Sequence, residues 1–323
     1  MNPISTALSN VTLGLEVTVK NLSMFPLLAE QVDCSPATDP LTLDEALSSG
    51  WAQITEVSDT GSVPELRFLN KGDRPVFILD GEELLGARQN RIVNLSILVP
   101  AVSALTIPVS CVEAGRWHAR SRSFTAAPRV QYGAARARRT KQVTASMMTI
   151  GARASDQSEV WADISEKSRR LKATSATSAM EAMFVDHAAT IDEFVEGMVP
   201  FPGQVGALFT VADRIAGLDV FGSDALLRKL LPKLVRSYAL DAIDPDAYRD
   251  PFAEPGSPRR RAPKHGASRR TAAEYFIQRC AEAEGKTLPA LGLGQDLRIE
   301  ARGLSAAGLV YNDEVVHFSA FAV

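Results

Sequence analysis

The chain has 323 residues, 46% hydrophobic and 23% charged, which supplies a real core and rules out a mostly disordered chain. Thirty-five Lys and Arg against thirty-eight Asp and Glu give a net charge of −3, so no global field steers it toward nucleic acid or an anionic membrane. Three cysteines without a CxxC pair and four histidines without an HxxxH pair argue against a disulfide framework or a His-built metal centre and fit a reducing cytoplasm.

The N-terminus lacks the basic and apolar regions of a signal peptide. The first third reads as β-rich, with strands predicted at Val11–Val19, Ala52–Val57, Glu65–Leu69 and Val76–Leu79 and a short capped helix at Thr42–Leu47. Ile92 to Val112 is uncharged, but its apolar residues recur at every second position, which is strand spacing and not a membrane helix. Residues 114–155 carry nine Arg or Lys and no acid. A helical block follows at about Ser155–Met198, interrupted near 174–178. Strands are expected at Val205–Val211 and Ile215–Phe221, and then a helix capped by Ser223 and bent by Pro232.

Residues 250–270, rich in Pro, Gly and Arg, read as a flexible exposed insert. A helix at about Thr271–Glu284 and strands at Leu297–Ala301, Leu309–Tyr311 and Val315–Phe321 close the chain. Strands at both ends around a central helical block predict one α+β domain over residues 1–323.

The most constrained segment is Val76–Trp117. Val93, Leu95, Ile97 and Val99 share one parity, opposite Asn94 and Ser96, and Leu105, Ile107, Val109 and Cys111 share the same one, opposite Thr106, Pro108 and Ser110. A hairpin closed by Pro100–Ala104 would pair 99 with 105 and 93 with 111, leaving Arg91 opposite Glu113. Gln89, Arg91 and Glu113 would then form a polar cluster at the rim of an apolar face. Glu83, Arg88, Asn90, Arg116 and Trp117 crowd the same strand ends. Arg, amide and Trp side chains together suit phosphate and base or ribose recognition better than metal binding. A buried Arg–Glu pair serving structure alone is the plain alternative.

The runs GEELLGARQNR (81–91) and PVSCVEAGRW (108–117) resemble the ADP-ribosylglycohydrolase- and rhodanese-phosphatase-associated protein (ARPP) family. Weaker likeness extends through Gly206–Gly222, Leu231–Ala242 and Val316–Phe318. The resemblance implies a link to NAD-derived or ADP-ribose-type nucleotides and transfers no catalytic mechanism.

The expected function is therefore binding, with hydrolysis if the protein is an enzyme, of such a nucleotide. Arg88, Arg91 and Arg116 would hold phosphate, Gln89 and Asn90 would read ribose or base, and Trp117 would stack. Glu83 or Glu113 would be the general acid/base. No metal is expected, and neither a cofactor nor an oligomeric state is indicated. The alternatives are a nucleic-acid-binding module using 116–141, with Trp117, Phe124 and Tyr132 as stacking residues, and a non-catalytic scaffold. Cys111 reads as a core thiol with a nucleophile as the lesser alternative, His317 as core or core rim with a catalytic base as the lesser alternative, and His187 and His265 as surface residues. Walker A, GxGxxG, GxSxG and HExxH patterns are absent.

Overall fold

The computed structural model describes residues 2–29, 39–58, 61–248 and 266–323. Both ends of the chain are woven into one antiparallel sheet. Its strand order is Val11–Leu13, Leu22–Ala29, Gln204–Val211, Arg214–Phe221, Glu314–Phe321, Leu304–Tyr311, Gln295–Ala301 and Lys286–Pro289, with Val17–Val19 also paired to Leu22–Ala29. Alternation along the strands gives this sheet two apolar faces. Leu208, Leu218 and Phe318 pack toward the helices Pro3–Ser9 and Gly266–Glu282 through Ile4, Leu8 and Phe276. Phe209 and Phe221 point the other way, under the helix Asp224–Ile243, where Tyr238 stacks on Phe209 with ring centroids 4.3 Å apart.

The middle of the first half builds a second β unit. One sheet orders Phe124–Val130, Glu82–Gly86, Arg91–Val93, Ser103–Cys111, Glu65–Asn70 and Ala52–Glu56. A smaller one joins Ile97–Val99, Val76–Ile78 and Leu41–Thr42. Their inner faces share a core that includes Leu66, Phe68, Ile78, Val93 and Ile107. The helices Gly133–Thr149, Gln157–Leu171, Glu181–Asp186 and Ala188–Gly197 come between the two units in sequence. The fold is α+β and forms a single domain. No helix among the described residues is long and apolar enough to cross a membrane.

Several expectations are corrected. The hairpin between 93–99 and 105–111 does not form: Ile97–Val99 leaves for Val76–Ile78 in the smaller sheet, and Leu105 pairs with Phe68. The strand breaks at Asn94, whose N–H reaches the Pro108 carbonyl at 3.0 Å while its own carbonyl accepts from Arg139 Nε at 3.3 Å. What remains of the pairing is shifted by two residues, with Val93 opposite Val109 and Arg91 opposite Cys111. A two-residue shift keeps every side chain on its face, so the parity holds although the partner is wrong.

The helix Gly133–Thr149 lies within the stretch read only as basic. Leu22–Ala29 was not anticipated as a strand, and Val11–Val19 divides into two short ones. Of the expected insert at 250–270, residues 250–265, including His265, lie outside the described residues. Residues 266–270 are helical, and Arg270 donates to the Leu13 and Gly14 carbonyls at 2.8 and 3.0 Å.

Candidate functional site

The polar residues singled out in the two motifs do converge, although not in the expected pairs. Arg91 and Glu113 are not partners. Arg91 Nη1 donates to Gln89 Oε1 at 2.9 Å, and Gln89 Nε2 donates to the Glu113 carbonyl at 3.0 Å. The Glu113 carboxylate instead accepts from Arg116 Nη2 at 2.5 Å, Thr177 Oγ1 at 2.7 Å and the Asn90 N–H at 3.0 Å. Asn90 Nδ2 reaches Glu181 at 3.3 Å, and Arg116 Nη1 donates to the Ala87 carbonyl at 2.7 Å. This set ties the 86–90 turn to the segment after the strand Ser103–Cys111.

These contacts set the protonation of the two acid/base candidates, Glu83 and Glu113, in opposite directions. Burial would lift Glu113, but Arg116, Thr177 and Asn90 outweigh it and hold its carboxyl below the usual range, so it is no proton donor near neutrality. Burial raises Glu83 despite its 2.5 Å ion pair with Arg129, and its other oxygen is buried without a partner. Both side chains are closed to solvent. Arg116, assigned to phosphate, is likewise fully buried and committed to Glu113 and backbone carbonyls.

Arg91 leaves two nitrogens unpaired, where Arg116 leaves only Nε. Arg91 is completely buried, yet its Nε and Nη2 have no hydrogen-bond partner. Burial lowers its affinity for the proton, with Cys111 and Glu56 as the leading opposing groups. Its guanidinium lies 5.8 Å from the Trp117 ring centroid, and that of Arg88 lies 5.6 Å from the same indole. Trp117 is 46% exposed, so one aromatic ring roofs a buried cation and faces solvent. Buried polar groups without partners are rare in folded proteins, and each calls for an explanation.

The basic residues of the 116–141 stretch divide between interior and surface. Arg116, Arg129, Arg136 and Arg139 are interior, while Arg120, Arg122, Arg138 and Lys141 are exposed. The interior ones serve carboxylates. Arg136 bridges Asp80 at 2.8 Å and Asp219 at 2.7 Å, and Arg139 reaches Asp80 at 2.7 Å. His317 Nε2 lies 3.1 Å from Asp219 Oδ1, and the Tyr238 hydroxyl donates to Asp219 Oδ2 at 3.2 Å.

Burial would raise both aspartates, but Arg136, helped by Arg139 at Asp80, holds them below the ordinary value. Burial in turn brings Arg139 down to about 10. Asp80, Asp219 and His317 place ligand atoms within 4.8 Å of one another. Both carboxylates are already neutralised, so a metal ion would have to displace a guanidinium.

This centre was missed in the sequence. Asp219 is the lone charge in the apolar run IAGLDVFGS, which is the local sign of a buried carboxylate. Arg136, Val143 and Met147 recur at helical spacing in a segment free of breakers and occupy the buried face of their helix.

The model of the ARG and Rhodanese-Phosphatase-superfamily-associated Protein domain, ARPP-1, matches residues 10–321. No curated protein and no solved structure matches the chain.

Proposed function

The chain belongs to the ARG and Rhodanese-Phosphatase-superfamily-associated Protein domain family, and from that premise we propose that it binds an NAD-derived or ADP-ribose-type nucleotide at Arg91 and Trp117. The observation that carries this reading is the pair of fully buried Arg91 nitrogens without partners beneath a half-exposed indole. A buried unsatisfied donor costs about 1–3 kcal/mol, more when charged. A phosphate group supplies two acceptor oxygens in the geometry a guanidinium fork prefers. Trp117 would move aside or stack on the base, and Arg88 would meet the ligand from the solvent side. The family is described by its association with ARG and rhodanese-phosphatase proteins, company in which a phosphate ester is the expected ligand chemistry. With Glu83 and Glu113 both buried in ion pairs, this site is read as one of binding.

The test is a Trp fluorescence and thermal-shift titration with ADP-ribose, NAD, AMP and inorganic phosphate. A nucleotide at 100 times its Kd should add about 2.7 kcal/mol of stability. Arg91→Lys, which keeps the charge and loses the fork, should weaken binding at least about tenfold. Trp117→Ala, a change at an exposed side chain, should weaken binding without unfolding the apo protein. Nucleotide affinity unchanged in both variants would overturn the reading, as would the absence of any nucleotide-induced shift in the wild type.

A further inference from the structure

At the junction of the two β units, Ser96, His317 and Asp219 lie in one hydrogen-bonded line. Ser96 Oγ is 2.9 Å from His317 Nδ1, and His317 Nε2 is 3.1 Å from Asp219 Oδ1. Asp219 is held ionised by Arg136 and can only accept, so Nε2 carries the imidazole proton. Nδ1 then presents a lone pair to the serine hydroxyl. The Asp80 N–H donates to Ser96 Oγ at 3.1 Å, which leaves the serine proton for Nδ1. Phe77 and Phe221 pack against the imidazole, with ring centroids 5.8 and 4.7 Å away, and fix its plane.

Ser96 and His317 line a narrow cleft that opens to solvent at its mouth. Leu95 and Leu309 supply apolar wall there, and Arg298, paired with Asp296 at 2.7 Å, lies in the same lining.

We propose that Ser96 is a nucleophile, with His317 as its general base and Asp219 as the residue that positions His317, in a cleft that hydrolyses a small carboxylic ester. The nucleophile–base and base–orienter contacts are those acyl transfer requires, and they do not depend on chain order. Here the serine meets Nδ1 and the aspartate meets Nε2. Ser96 sits in the break between the strands Arg91–Val93 and Ile97–Val99 and not in a Gly-flanked elbow, so no motif announced it.

In the first step the Ser96 Oγ–carbonyl carbon bond forms and its proton passes to Nδ1. The ester C–O bond breaks, and the alkoxide leaves with that proton. Water then repeats the sequence on the acyl-serine, releasing the carboxylic acid and restoring Ser96. Charge selects the substrate class. The guanidiniums of Arg136, Arg139 and Arg298 are matched by Asp80, Asp219 and Asp296, so the cleft holds no surplus positive charge for a phosphate dianion. A neutral carbonyl fits it better.

The full chain is treated with an alkyl fluorophosphonate, which loses fluoride on attack by an activated serine, and is separately assayed with p-nitrophenyl acetate. One adduct per chain on the peptide containing Ser96 is expected. Ser96→Ala should abolish the adduct and lower ester hydrolysis at least about 100-fold, with melting confirming a folded variant. Asp219→Asn should lower kcat with little change in KM, a split that a general loosening of the fold would not give. No adduct in folded wild type, or equal labelling of Ser96→Ala, overturns the proposal. Hydrolysis of p-nitrophenyl phosphate without p-nitrophenyl acetate overturns the ester assignment.

Discussion

Replacing Arg136 by methionine keeps most of the side-chain volume and removes a buried cation shared by two carboxylates. Asp80 retains Arg139 at 2.7 Å, whereas Asp219 is left with only the Tyr238 hydroxyl at 3.2 Å and His317 at 3.1 Å. Uncovering one partner of a buried pair costs about 3–5 kcal/mol, or about 4–7 °C of melting temperature for a chain of this size.

The pH dependence follows from the folded-state shifts. In the wild type both aspartates are held below their unfolded value. Their contribution is therefore complete above about pH 4 and is lost as pH falls through the lower folded values. Without Arg136, burial dominates Asp219 and lifts it above the unfolded value. The variant then gains stability relative to wild type on acidification. Urea unfolding followed by circular dichroism at pH 7 and pH 4.5 should show the larger deficit at pH 7. A deficit below about 1 kcal/mol at pH 7, or one equal at both pH values, would refute the assignment of Arg136 as the counter-ion of Asp219.

Gly217→Ala should lower stability by about 1–3 kcal/mol, read in the same urea assay, because a Cβ there would sit 2.2 Å from the Tyr238 hydroxyl. Burial alone would raise Asp244, but Arg170 and Lys167 hold it to about 2. Its stabilising effect should therefore persist above about pH 4 and fade between about pH 4 and pH 2. Asp244→Asn should be less stable than wild type at pH 7 and converge with it at the acid end of a pH series of melting curves. Glu113→Gln should lose roughly 2 kcal/mol by removing the charge that Arg116 serves, measured as a shift in the urea midpoint, and a stability equal to wild type would contradict the buried pair.

Local rules carried much of the fold. The hairpin Gln204–Val211 with Arg214–Phe221 turns at Ala212 and Asp213, and the closing one turns at Asn312 and Asp313; all four residues have positive φ. Ser223 caps its helix by accepting the Leu226 N–H at 3.1 Å. Strand parity placed Arg91 on an inward face, which is enough to mark it as a buried cation in a polar motif. These features depend on a few neighbouring residues, so they can be read from a short window of sequence.

Partner choice was decided elsewhere. Parity cannot tell Cys111 from Glu113 as the neighbour of Arg91, because a shift of two preserves every facing. Nor does a run of arginines reveal whether it is solvated or paired. Arg136 meets carboxylates 56 and 83 positions away, and Ser96 meets His317 across 221. The sequence by itself determined the capped helices, the tight turns and the inward side of each strand, because neighbouring residues fix capping, turn geometry and alternation. Only the tertiary structure decided which charges neutralise one another and which serine faces which histidine, since those contacts arise when two separately patterned β units close on a shared polar seam.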